Sequence, residues 1–149
     1  MDDLVLRELE PLDYYHGYIN LMNANFPNYQ YNLSFEGFTL YLNEQNRLVK
    51  ILVLYDTKQK RVIGAGTIFI LNKIHNYSVG QIEDVVISDQ YRGKNLGKRI
   101  IDELSHIGMT EFSCYKIILN CSEQNIGFYK KCDFYVNSIS MRRDNTNVN

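Results

Sequence analysis

Two adjacent carboxylates, Glu83 and Asp84, sit in the β-rich run GQIEDVVIS at 80–88, which passes at once into the basic, glycine-bearing stretch QYRGKNLGK at 90–98. A carboxylate beside a reacting amine can take a proton or hold a cation. A glycine-bearing loop that opens a helix does the opposite job: its unpartnered N–H groups and the positive end of the helix dipole hold a phosphate. Arg92, Lys94, Lys98 and Arg99 add full charges to that corner. Gly93 and Gly97 allow close approach of the main chain, and Asn95 is the non-glycine residue type that best tolerates a left-handed conformation. Together the two halves point to a phosphate-bearing cofactor next to a cationic or amine substrate. The competing reading of the loop is a solvated helix start. It contains neither GxxxxGK[ST] nor GxGxxG, which disfavours a P-loop hydrolase or a dinucleotide fold.

The elements that must position these residues follow from periodicity. Residues 3–9 alternate weakly and suit an edge strand, and Pro11 is placed for the first turn of a helix whose apolar face is Leu12, Tyr15, Ile19 and Met22. Asn25 to Asn32 reads as a loop, and Ser34 as the cap of a helix with Phe35, Phe38 and Leu42 buried. Arg47–Tyr55 and Arg61–Leu71 read as strands joined through the turn DTKQK, with Gly64 and Gly66 marking a bulge or a close backbone approach. A polar loop, 72–79, leads to the strand at 80–88. Leu96, Ile100, Leu104 and Ile107 give helix 95–109 one apolar face, leaving Lys98 and Arg99 to the ligand or to solvent. A buried strand, Tyr115–Cys121, a helical segment, Gln124–Cys132, and a last strand, Phe134–Arg142, complete the chain, and the tail DNTNVN is expected to be disordered. This order predicts an α/β layered fold with a mixed sheet: one domain over 1–143, a tail over 144–149, and strands 80–88 and 115–121 as parallel neighbours.

Composition narrows the function classes. The 149 residues carry a net charge of −1, so no global field favours nucleic acid or an anionic membrane. No apolar run approaches the roughly 18 residues of a membrane span, and MDDLVLRELE lacks the basic start and apolar core of a signal peptide, so a cytoplasmic location is expected. Cys114, Cys121 and Cys132 are odd in number and read as buried free thiols; His16, His75 and His106 are too scattered for a metal, and no metal is expected.

The element order and the loop resemble the Gcn5-related N-acetyltransferase (GNAT) superfamily, whose acetyl-CoA loop follows the pattern Q/R-x-x-G-x-G/A. Here that register is Arg92, Gly93, Lys94, Asn95, Leu96, Gly97, with Asn95 in place of the central glycine. Three blocks are more specific: GQIEDVVIS at 80–88, CYKIILNC at 114–121 and QNIGFYKKC at 124–132. They resemble the glucosamine 6-phosphate N-acetyltransferase family, closely over 80–132 and loosely over the N-terminal third. The resemblance implies an acyl-CoA N-acyltransferase fold: a mixed, mostly antiparallel twisted sheet, a parallel central pair splayed around the cofactor, and helices on both faces. It further implies direct acetyl transfer from acetyl-CoA to the amine of glucosamine 6-phosphate, and a homodimer whose C-terminal strand contributes to the neighbour's site.

Carried onto this sequence, the resemblance assigns Tyr129, with Asn125 nearby, to the thioester sulfur and the cofactor. The backbone of Val85, Val86 and Ile87 falls to the pantetheine arm, with the Val86 N–H as candidate for polarising the thioester carbonyl. Glu83 and Asp84 become substrate-facing, although neighbours on a regular strand point to opposite faces; either a bulge near Asp84 to Val86 re-aims the strand or only one carboxylate reaches the amine. Asn120 stands where the family commonly carries an acidic residue. An amide is no general base, so the amine proton leaves by water, by the backbone carbonyl at 120 or by Asp84, or else position 120 only binds a sugar hydroxyl. Cations for the sugar phosphate come from Lys73, His75, Lys116, Arg142 and Arg143, with Tyr115 beside them. The alternatives are an N-acetyltransferase for a protein or polyamine amine and a silent acyl-CoA binding module.

Overall fold

The computed structural model describes residues 3–27, 32–75 and 77–147. Hydrophobic alternation places β1 at Leu4–Glu8, β2 at Val49–Asp56, β3 at Arg61–Asn72 and β4 at Ser78–Ile87, and β5 follows at Cys114–Leu119. These strands form one open sheet in the order β1-β2-β3-β4-β5. The first four are antiparallel neighbours. β5 runs parallel to β4, reached through helix α3 at Leu96–Glu111, as the crossover rule requires. The helices α1, Tyr18–Asn25, and α2, Phe35–Glu44, precede β2.

Side-chain alternation sorts the helices onto two faces. Tyr18, Leu21 and Met22 of α1 and Phe38 of α2 pack with Val53, Ala65 and Val86. The opposite face takes α3, whose Ile100 and Leu104 are fully buried. Here Gly64 and Gly66 have their reason: a Cβ on Gly66 would come within 2.8 Å of Ile100 and 3.0 Å of Leu104, so the glycines let α3 lie close on β3.

The first helix differs from its expected form. Pro11–Tyr14 is a short 3-10 turn, and Gly17, at φ 89°, breaks the helical phase before α1 starts. The face re-forms as Tyr18, Leu21 and Met22, while Leu12 and Tyr15 are exposed. What the turn buries instead is Asp13, held by both guanidinium nitrogens of Arg7 at 2.8 Å and by the Glu10 N–H. Part of the expected loop at 25–32 lies outside the described residues.

The chain divides into two compact units between Leu119 and Asn120. The second unit has a 3-10 turn, Glu123–Asn125, and α4, Ile126–Lys130. Its chain reverses after α4 through Asp133 at φ 64°, with Cys132 and Phe134 N–H both donating to the Tyr129 carbonyl. The expected strand Phe134–Arg142 is not formed. A strand exists only by pairing, and this stretch has no ladder, so the parallel pair β4–β5 closes the described sheet at one end instead of standing at its centre. Of the three thiols expected to be buried, Cys114 and Cys132 are, whereas Cys121 is exposed.

Candidate active site

The alternation of β4 changes phase at Asp84. Thr67 stands opposite Glu83 and Ala65 opposite Val86, so Asp84 and Val85 together face the single residue Gly66. That is a β-bulge, and Asp84 sits in it at φ 53°. Before it, Gly80 looks onto the α3 side against Ile68 and Ile117; after it, Val85 and Ile87 do so, beside Gly66 and Gly64. Val86 joins the α1 side. Of the two arrangements open to a pair of adjacent carboxylates, the chain takes the bulge. Glu83 accepts a hydrogen bond from Gln81 at 2.7 Å, two residues back on the same face.

Asp84 keeps an opening to solvent, yet the groups around it remove enough water to raise its carboxyl above the ordinary value, and the charge of Glu83 raises it further. This is the direction that suits a proton acceptor, because a carboxyl closer to neutrality shares a proton more evenly with an amine. β4 and β5 pair only from Ser78 to Ile82 on one side and Cys114 to Leu119 on the other. Among the described residues Glu83 to Ile87 therefore continue with β3 as their one sheet neighbour, and no described strand lies on the other edge of this stretch.

The loop after β4 has the backbone its residue types suggest. Gly93 is at φ 79° and Asn95 at φ 58°, so the position where the superfamily pattern has glycine is left-handed here, filled by the residue that tolerates it. A Cβ on Gly93 would meet nothing within 4 Å, which leaves open space over the loop. The Asn95 side chain makes no capping bond to α3, whose first residue, Leu96, is buried at 3% exposure and anchors the helix start. Arg92 pairs with Asp89 at 2.9 Å and Lys98 with Asp102 at 2.8 Å. Arg99 reaches back to the Leu4 carbonyl at 3.3 Å and so is tied to β1. Left-handed turns, open space, an uncapped helix and flanking cations fit a pyrophosphate.

In the second unit Tyr129 is half-buried on α4, its ring edge-on to Phe128 and Phe134. Burial raises its phenol, and the thiols of Cys121 and Cys132 push the same way, so the hydroxyl keeps its proton at neutral pH. Asn125 is the residue before α4, and Asn120, Arg142 and Arg143 are exposed, with Arg142 bonded to Asp144 at 2.6 Å.

The first unit does not bring its other candidate cations to Asp84. Lys73 and His75 are in the loop before β4. His75 lies against Tyr77, Tyr77 against Tyr115, and Lys116 over Tyr115, so they gather where the β4–β5 pair begins. Asp84 stands beyond the end of that pairing, about 20 Å along β4 from Ser78 by strand rise.

Residues 13–134 match the acetyltransferase (GNAT) family. The chain belongs to that family. Among relatives, glucosamine 6-phosphate N-acetyltransferase 1 of Dictyostelium discoideum is 38% identical, covering 94% of this chain and 90% of the relative. The glucosamine 6-phosphate N-acetyltransferase of Arabidopsis thaliana is 30% identical over 93% of this chain and 94% of its own length. A crystal structure of the Arabidopsis thaliana enzyme superposes with a TM-score of 0.87 at 29% identity, covering 95% of this chain and 97% of that one.

One neighbour of Asp84 in this acetyltransferase was not legible in the sequence. Tyr41, on α2, has its phenol raised by burial and then by the charge of Asp84. Nothing in residues 35–44 distinguishes it from the other tyrosines, since only the packing of α2 brings position 41 near position 84.

Proposed function

We propose that this acetyltransferase moves the acetyl group of acetyl-CoA to the 2-amino group of D-glucosamine 6-phosphate, giving N-acetyl-D-glucosamine 6-phosphate and CoA by direct attack in a ternary complex. The observation that carries this reading is the end-to-end likeness to relatives bearing that name, whose match spans both units of the chain. It also supports treating 1–143 as one catalytic domain with 144–149 as a tail.

In this reading the amine nitrogen bonds to the thioester carbon, the C–S bond breaks, and the amine proton leaves to Asp84, to water or to the backbone carbonyl of Asn120. Tyr129 gives its proton to, or stabilises, the departing thiolate. Loop 92–97 takes the pyrophosphate with Lys98 at the helix start, Asn125 lies on the cofactor side, and the unpaired edge of Val85 to Ile87 takes the pantetheine arm. Glu83, Asp84 and Asn120 hold the sugar. Because Lys73, His75, Tyr115 and Lys116 collect at the far end of β4, Arg142 or Arg143 is the better candidate for the sugar phosphate, supplied across a homodimer. No helix among the described residues is long and apolar enough to cross a membrane, and a cytoplasmic enzyme is the reading that accords with a sugar phosphate substrate.

The test is release of free thiol by purified protein with acetyl-CoA and either glucosamine 6-phosphate or glucosamine. Rapid turnover restricted to the phosphorylated sugar is expected. Equal turnover of both would remove the phosphate-binding assignment, and CoA binding without turnover would make the chain a silent acyl-CoA module.

A further inference from the structure

Asp56 ends β2, and although it belongs to a hairpin turn it is buried, at 6% exposure. Its Oδ1 accepts the N–H groups of Lys58 at 2.9 Å and Gln59 at 2.8 Å, which is all the turn requires. Its Oδ2 is used elsewhere, accepting the hydroxyl of Tyr91 at 2.6 Å across 35 residues of sequence. Tyr91 closes the 3-10 turn Asp89–Tyr91, immediately before the left-handed loop. The adjoining end of β3 makes a second tie: Arg61 donates to the Gln90 side-chain oxygen at 2.9 Å, and its guanidinium carbon lies 5.8 Å from the centre of the Tyr91 ring. The Lys94 ammonium stands 5.4 Å from the same ring.

The loop thus hangs between two anchors. On one side Leu96, the first residue of α3, is buried; on the other Tyr91 is bonded to the β2–β3 turn, and the residues between, 92–95, are exposed. A charged, short hydrogen bond to a buried carboxylate is among the stronger polar contacts available. Backbone donors that must meet an anion lose much of their worth when displaced by an ångström.

We propose that Asp56 and Tyr91, with Arg61 bracing Gln90, hold loop 92–97 in its anion-binding form, and that they are positioning residues for the pyrophosphate of acetyl-CoA. The proposal rests on the reading of the loop given above. It predicts a loss confined to the pyrophosphate end of the ligand.

Tyr91→Phe keeps the ring for Arg61 and Lys94 and removes only the hydroxyl, while Asp56→Asn keeps an oxygen for the turn. For both variants the KM of acetyl-CoA and the calorimetric Kd of CoA should rise about 3- to 10-fold, with kcat within about twofold of the parent. Turnover of S-acetylpantetheine, which has no pyrophosphate, should be unchanged. The double variant should be no worse than the weaker single one, since both break the same bond. Unchanged CoA affinity in Tyr91→Phe overturns the proposal while the loop reading stands. An equal loss with S-acetylpantetheine also overturns it, because the defect is then general. A parent protein that does not bind CoA removes both.

Discussion

At the residue scale the proposed roles of Asp84 and of Tyr129 can each be tested by a substitution that keeps shape. Asp84 titrates above the ordinary carboxyl value because of burial and then Glu83. Between the ordinary and the raised value the native state holds more protons than the unfolded one, so the charged form costs stability once the pH has risen through that window. Asp84→Asn, which also suits the left-handed backbone there, should melt higher than the parent at pH 7. The gain should vanish below about pH 4, where the carboxyl is protonated in both states. Its kcat should fall about 100-fold, the lower end for loss of a general base. A retained kcat would move proton removal to water or the Asn120 carbonyl. Tyr129→Phe keeps the ring packing against Phe128 and Phe134 and removes the hydroxyl; kcat should drop by about 10- to 100-fold with KM for acetyl-CoA and Tm little changed. Full turnover from neutral to alkaline pH would make Tyr129 a packing residue only.

At the scale of elements, the loop between β4 and α3 is where backbone conformation and binding meet. Gly93 is left-handed but sterically open, and an added Cβ there meets no described residue within 4 Å. Gly93→Val should cost about 1–2 kcal/mol of stability from the left-handed backbone alone. Beyond that, the new side chain occupies the space over the loop, and KM for acetyl-CoA should rise while S-acetylpantetheine is spared. Chemical denaturation and steady-state kinetics separate the two effects. Unchanged cofactor affinity would remove the loop from the binding site. Asn95, at φ 58°, is left-handed as well.

At the scale of the whole molecule, the C-terminal stretch is apolar without being covered. Tyr135, Val136, Ile139 and Met141 are 78%, 67%, 92% and 93% exposed, and no ladder pairs the segment. An exposed apolar stretch of this kind marks a surface that another chain can cover. The proposed homodimer supplies that chain. Deleting residues 135–149 should convert a dimer to a monomer by light scattering and lower activity with glucosamine 6-phosphate more than it lowers CoA affinity. A full-length chain that is monomeric at working concentration, or a truncated one that still dimerises, would exclude this role.

Features set by near neighbours in the chain were legible from the sequence alone. The DTKQK turn closes through Asp56 and the N–H groups two and three residues on; Ser34 caps α2 by accepting the Gly37 N–H; Gly93 turns left-handed because it lacks a Cβ, and Asn95 because its short polar side chain tolerates that conformation. The three blocks that carry the family resemblance are likewise local strings. Tertiary structure decided what depends on distant partners. The bulge at Asp84 exists because β4 pairs with β3 in a register where two residues face Gly66, and that register is set across the sheet. The bond from Asp56 to Tyr91 and the approach of Tyr41 to Asp84 likewise join residues far apart in sequence. The broken phase at Gly17 and the absent strand at 134–142 belong with them: periodicity states that a segment has an apolar face, and only the packed molecule states whether a partner meets it.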